Sequence, residues 1–317
     1  MNILEKLYTL IIFVAVIAGL AAGQFAALGR AAEYSILPLM VCMLYFTFLH
    51  IPLSEIGHSF KNAAFTMTSL VLNFVWTPFF AWVLGALFFS DQPALYIGFF
   101  LLMVTPCTDW YLIFTGIAKG NVALSAAILP LNLVLQVLLL PVYLLIFGGG
   151  TGMVEVMAVL EGTVLILLLP LAAAALTRYF FKRSSRSQER FFSKLNGMPI
   201  LFLSLAIFAM FAAQGEMLLN NVHLILMMLP PIALFFLSNF FIGQTAGRIF
   251  GFSNRETASL SLTIMARNSP VALALALAAF PDQPLIPLVL VIGPLLELPI
   301  LAAASSVMVY KNKHRSF

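Results

Sequence analysis

The chain has 317 residues, of which 62% are hydrophobic and only 9% charged, and its mean hydropathy is +1.05. A soluble domain carries roughly a quarter of its residues as Asp, Glu, Lys and Arg to cover its surface, so a soluble enzyme or nucleic-acid-binding domain is excluded. The formal charge of +4 and pI near 9.1 therefore call for an explanation by topology.

Apolar runs of about 20 residues mark membrane helices. Ten are predicted: 8–28, 34–52, 63–89, 94–118, 122–147, 153–181, 197–213, 223–249, 258–280 and 284–310. The first is too long for the apolar core of a signal peptide. The third carries Asn73-Phe74, and the eighth the similar pair Asn239-Phe240. Cys42 lies in the second run and Cys107 in the fourth, so a disulfide framework does not organise the chain.

The fourth run holds Thr105-Pro106-Cys107-Thr108-Asp109 in its middle. Proline removes a backbone donor and clashes with the preceding turn, so two half-helices are predicted to meet here. Thr105 is the expected N-cap of the second half and Pro106 its first residue. Broken backbone at that depth is tolerated only where it is buried in protein or lines a cavity. The ninth run repeats the pattern with Arg267-Asn268-Ser269-Pro270. Pro130 and Pro141 in the fifth run are echoed by Pro287 and Pro299 in the tenth. Two broken helices at corresponding positions point to a transporter's binding site. The prediction is an all-α polytopic membrane protein whose ten transmembrane helices form two inverted five-helix repeats. Residues 1–147 form the first repeat, 148–196 include helix six and a basic loop, and 153–317 form the second.

The basic residues set the orientation. Lys6, Lys61, Lys119, the six between Arg178 and Lys194, Arg248, Arg255, Lys311, Lys313 and Arg315 fall on one side, fourteen of the sixteen Lys and Arg. Arg30 lies opposite and Arg267 within a span. By the positive-inside rule this is a multi-pass protein of the cell membrane with both termini cytoplasmic.

Asp109, Arg267 and Glu297 are ionisable residues far from any predicted helix end, and each costs about 2.5–3.5 kcal/mol to insert. Such residues pair, bind or move protons. An acidic partner for Arg267 is expected in Asp109 or Glu297, either as a static bridge or as part of a site. Asp109 also suits the positive end of the second half-helix. Cys107 is either a small packed residue or a ligand at the midplane. Asn132 and Gln136, one turn apart, offer amide oxygens to an ion or hydroxylated solute, or hold helices together. Glu161, early in the sixth helix, is a further candidate, whereas Glu155 is expected at the interface. His50 and His58 have no cluster around them, so no metal site is argued.

The segments TPCTDWYLIFTGIAKGN, LPLNLVLQVLLLPVYLL and IGPLLELP resemble the bile acid/sodium symporter superfamily, and within it the arsenite-efflux permease branch. The resemblance spans essentially the whole chain. It implies ten helices, with helices four and nine broken and crossing, and with helices three to five and eight to ten in a core beside a panel. It also implies functional roles for Cys107 and Glu297. A thiolate is a soft ligand suited to trivalent arsenic, and a buried carboxyl can carry an exchanged proton. Two stretches differ from that branch: Asp109-Trp110-Tyr111 after the Pro-Cys-Thr, and ARNSP at the ninth break. A cation at the second break also suits a carboxylate solute.

Two transport readings follow. In the first, arsenite or a similar small solute is exported against protons. It is held by Cys107 and by exposed amides near Thr105, Thr108, Asn268 and Ser269, with Glu297, tuned by Arg267, carrying the proton. In the second, a small organic anion enters with sodium, which Asn132, Asn268 and Glu297 would hold. Intramembrane hydrolysis by Asp109 and Glu297 is a third reading, but neither carboxylate sits in a protease-type motif. No cofactor beyond the coupling ion, H+ or Na+, is implied. The expected partners are a small-molecule substrate and the lipid bilayer, not nucleic acid, and oligomeric state is left open.

Overall fold

The computed structural model describes residues 3–50, 60–108, 110–181, 195 and 197–314. Over these the chain is helical, and the one β-pairing among the described residues is an isolated bridge between Pro106 and Arg267. Helix α1 is Ile3–Gly23 and α2 is Ala26–His50. Helix α3, Ala63–Phe89, contains a π-turn at Leu72–Trp76. Helices α4, Pro93–Val104, and α5, Trp110–Ile117, are halves of one broken segment. Helix α6, Val122–Tyr143, continues through a π-turn at Leu144–Gly148. Helix α7 is Val156–Phe180, α8 is Met198–Asn220 and α9 is Val222–Ile249. Helices α10, Asn254–Met265, and α11, Ser269–Ala279, are the halves of the second broken segment, and α12 is Leu285–His314. Among the described residues seven helices (α2, α3, α6, α7, α8, α9 and α12) are long and apolar enough to cross a membrane, while α4, α11 and the apolar part of α1 are shorter.

Contacts divide the chain into two units interleaved in sequence. The first comprises Met1–Pro52, Val154–Val222 and Pro270–Val291. Its helices α1 and α8 pack backbone to backbone at Gly19 and Gly23. A Cβ on Gly19 would lie 2.6 Å from the Phe208 carbonyl oxygen, and one on Gly23 2.7 Å from that of Ala212. Small residues one turn apart are what such close approach requires. Helix α7 is tied to α2 by the Tyr45 and Thr177 hydroxyls, 3.0 Å apart. Nearby, Arg178 Nε donates to the Leu49 carbonyl at 2.7 Å. That places a cation on the open carbonyls at the C-terminal end of α2.

The second unit comprises Leu53–Met153, His223–Ser269 and Ile292–Phe317. Three of its helices begin side by side on capped ends. Asn62 accepts from the Phe65 N–H at 3.2 Å, Asn121 from the Leu124 N–H at 3.1 Å, and Ser253 forms a reciprocal capping box with Glu256. These caps also bind one another: Asn62 Nδ2 donates to Glu256 Oε1 at 3.0 Å, and the Asn121 N–H to Ser259 Oγ at 2.8 Å. The helices α3, α6 and α10 therefore start in register, and beyond the caps Phe65, Ile128, Leu260 and Ile264 form one buried cluster. Helix α9 presses on α10 at Gly243 and Gly247, where a Cβ would meet Ser261 and Thr257.

Candidate functional site

Helix α4 stops at Val104, and Thr105 is extended, with φ −96° and ψ 99°. Its hydroxyl donates back to the carbonyls of Leu101, at 3.0 Å, and Leu102, at 3.2 Å. Thr105 thus closes the helix behind it, where an N-cap for the helix ahead was expected. The reason is distance along the chain: an N-cap bonds N–H groups two or three residues ahead, and α5 begins only at Trp110. Pro106 is accordingly not the first residue of a helix. Cys107 takes over: its Sγ accepts the Trp110 N–H at 3.2 Å, at the start of α5. At the second break Ala266 is extended, and α11 opens with Ser269 and Pro270.

The two breaks bind each other. The Cys107 N–H donates to the Ala266 carbonyl at 3.1 Å, and the Asn268 N–H to that of Thr105 at 2.8 Å. Asn268 Nδ2 also donates to Thr108 Oγ1 at 3.1 Å. Backbone groups that broken helices leave open are costly in an apolar interior, and this short antiparallel pairing satisfies them in both segments at once.

Arg267 lies at the centre of the pairing and is only 1% exposed. Its guanidinium goes to backbone. Nε donates to the Met265 carbonyl at 3.0 Å, Nη1 to Met103 at 3.0 Å, and Nη2 to Ile264. Those carbonyls end α4 and α10, so one cation caps the negative ends of both half-helices. Nη2 also reaches Asn73 Oδ1, at 3.3 Å, in the π-turn of α3. The guanidinium carbon stands 5.2 Å from the centroid of Phe235 in α9.

Glu297, 3% exposed, accepts the backbone N–H of Arg267 on Oε1 at 2.7 Å. The motif around it explains how it gets there. Gly293, one turn earlier, lets α12 close on both breaks: a Cβ there would lie 2.6 Å from Leu102 Cδ1 and 2.8 Å from Ser269 Oγ. Arg267 was expected to find an acidic partner, and that partner is Glu297, reached through the main chain.

Thr105, Cys107, Thr108, Arg267, Asn268 and Glu297 thus converge at one point. Asp109 lies outside the described residues. Ser269 is buried, and its Oγ has no partner among the described residues. Asn132 and Gln136 are each 2% exposed, and both amide atoms of each are without a partner among those residues. Helix α6 starts in register with α10, and its Ile128 packs with Ile264. At 1.5 Å of rise per residue, Asn132 therefore stands level with the break at Arg267. Glu155, immediately before α7, and Glu161, within it, are both exposed. Asn73, Phe235 and Asn239 were not anticipated as site residues. Asn239 accepts from Trp76 Nε1 at 3.1 Å while its own amide nitrogen is unpartnered among the described residues. The repeated Asn-Phe pair was the available signal.

Two broken helices joined at their breaks in an apolar chain, with a thiol, an arginine and a carboxylate buried at the junction, are the marks of a multi-pass membrane transporter. The chain belongs to the sodium bile acid symporter family, whose model matches residues 37–221. It is 24% identical to the arsenical-resistance protein Acr3 of Corynebacterium glutamicum, over 76% of this chain and 69% of that protein. It is 23% identical to the Acr3 of Alkaliphilus metalliredigens, over 94% of this chain and 90% of that one. An uncharacterized transporter of Synechocystis, slr0944, is 26% identical over 95% of this chain and 87% of its own.

Proposed function

We propose that this transporter exports arsenite, or a similar small trivalent solute, in exchange for protons. The observation that carries the reading is the position of Cys107, 4% exposed at the start of α5 and paired through its own N–H to the break that holds Glu297. A soft sulfur suits a soft centre, and relatives across most of the chain are named for arsenical resistance. The solute would sit against Cys107, Thr108, Asn268 and Ser269. Glu297 would take and release the proton. Asn132 would supply an amide from α6, and Asp109 would be a further substrate-binding carboxylate.

In this reading the ten apolar segments span the membrane as two inverted five-helix repeats, 1–147 and 153–317, linked through 148–196. Both termini are cytoplasmic, and alternating access comes from motion of a core against a panel. Arg267 serves by holding the two broken helices together. Growth of cells on arsenite tests the proposal. Expression should raise tolerance, and Cys107→Ala and Glu297→Gln should each remove the gain; tolerance that responds to neither expression nor substitution sinks it.

A second reading, sodium-coupled uptake of a small organic anion, draws on the unpartnered amides of Asn132 and Gln136, whose oxygens suit a hard cation. Against it, the arginine that would receive the carboxylate already donates to four acceptors. Uptake of labelled organic acids with and without sodium separates the two.

A further inference from the structure

At the opposite end of α10 from the break, the second unit has a cavity of about 80 Å³ lined by Gln244, Arg248, Asn254, Thr257 and Lys311, with Phe252 and Met308. One water needs roughly 10–15 Å³ of such space, so the cavity has room for a group of several oxygens. Its polar lining is rich in donors and holds no acid. Arg248 and Lys311 bring two cations from two helices, α9 and α12, while Asn254 adds an amide and Thr257 a hydroxyl from the first turn of α10. The acidic residue closest in sequence, Glu256, is bound to Ser253 and Asn62 and does not line the cavity.

The lining is built as well as charged. Gln244 is 9% exposed, and its Oε1 accepts from Lys311 Nζ at 2.6 Å while its Nε2 donates to Ser261 Oγ at 3.0 Å. The ammonium is thus fixed at the cavity wall. Arg248 is exposed and presents a planar fork, the geometry that matches two oxygens of a phosphate. Beside these cations the surface turns apolar: Ile249 is 72% exposed, Phe250 57% and Tyr310 68%. A free anion has no use for that apolar rim, but acyl chains do. Basic pockets between membrane helices take the head groups of anionic lipids.

We propose that this cavity binds the phosphate of an acidic phospholipid, with Arg248 and Lys311 on the phosphate oxygens and the acyl chains along Ile249, Phe250 and Tyr310. The bound lipid would tie α9, α10 and α12 together, α10 leading into the break at Arg267 and α12 carrying Glu297.

The test uses the full chain purified in a neutral detergent, with its unfolding midpoint followed against added phosphatidylglycerol, phosphatidylcholine of the same chains, or inorganic phosphate. Ligand that binds the folded state raises the midpoint in proportion to occupancy. Phosphatidylglycerol should raise it and phosphatidylcholine should not. Arg248→Gln, which alters an exposed side chain, should weaken the effect about tenfold, as expected for one charge-assisted contact. Lys311→Gln should do the same, and Arg30→Gln in the other unit should change nothing. Equal effects of the two lipids, or full protection of Arg248→Gln by phosphatidylglycerol, would overturn the site. Protection by inorganic phosphate that phosphatidylglycerol does not exceed would overturn the lipid as occupant.

Discussion

Arg267 meets Glu297 through its backbone N–H, 2.7 Å from Oε1, while its guanidinium is spent on the carbonyl ends of two helices. The two buried ionisable groups are therefore not interchangeable halves of a salt bridge. One holds the crossing together by covering its helix ends. The other, among the described residues, accepts one main-chain donor from the crossing.

Removing the arginine should accordingly damage the fold. Arg267→Gln uncovers the carbonyls of Met103, Ile264 and Met265, each costing about 1–3 kcal/mol when buried without a partner. Arg267→Lys keeps the charge but has no fork to reach both helices. Both variants should lower the unfolding midpoint in detergent. A lysine variant as stable as the parent would contradict the capping role.

Glu297→Gln keeps an oxygen for the Arg267 N–H, so its midpoint should stay near that of the parent while proton-driven flux disappears. Glu297→Ala leaves that N–H buried and unpaired, which costs about 1–3 kcal/mol in addition. Side-by-side measurements of stability and flux check this. Retained flux in the glutamine variant would remove Glu297 from the coupling step.

Asn132→Leu offers the opposite trade. A buried amide with no partner costs about 1–3 kcal/mol, and Asn132 has none on either atom among the described residues. The leucine variant should unfold at a higher temperature and transport less, as expected where stability is given up for function. If it is stabilised with full flux, Asn132 is ordinary packing.

A pH effect is expected at the polar end of α10. The Ser253 side chain, then its backbone N–H, and Asn62 more weakly hold the Glu256 carboxyl below its ordinary value of 4.5. The stabilisation is complete above that ordinary value and is lost as pH falls through the lower, folded-state one. Ser253→Ala should cost about 1 kcal/mol near neutrality. It should also flatten the acid limb of the midpoint–pH curve, because the carboxyl returns towards its unfolded value. An unchanged acid limb would show that the capping box does not hold this carboxylate.

Much of this was legible in the residues. Proline next to a cluster of polar residues inside an apolar run placed both breaks to within a few residues, whereas proline alone does not: Pro130 and Pro141 lie inside α6, and Pro294 and Pro299 inside α12. The rarity of buried charge singled out Arg267 and Glu297. What could not be read was which atoms meet. Thr105 carries every mark of an N-cap, yet the next helix begins only at Trp110 and the hydroxyl returns to Leu101. The cap falls to Cys107, a residue type with no capping preference to give it away. Arg267 was visible as a cation in need of a carboxylate. That its need is met mainly by carbonyls depends on two helix ends, far apart in sequence, arriving at one place. Asn73 became visible only through that arrival.

The most direct test of the account is arsenite accumulation in everted membrane vesicles under an imposed pH gradient, comparing the parent with Cys107→Ser. An acidic lumen should drive uptake by the parent without sodium, and the serine variant should lose that uptake while its unfolding midpoint stays close to the parent's. Uptake that survives the loss of the sulfur, or that follows a sodium gradient instead, would contradict it.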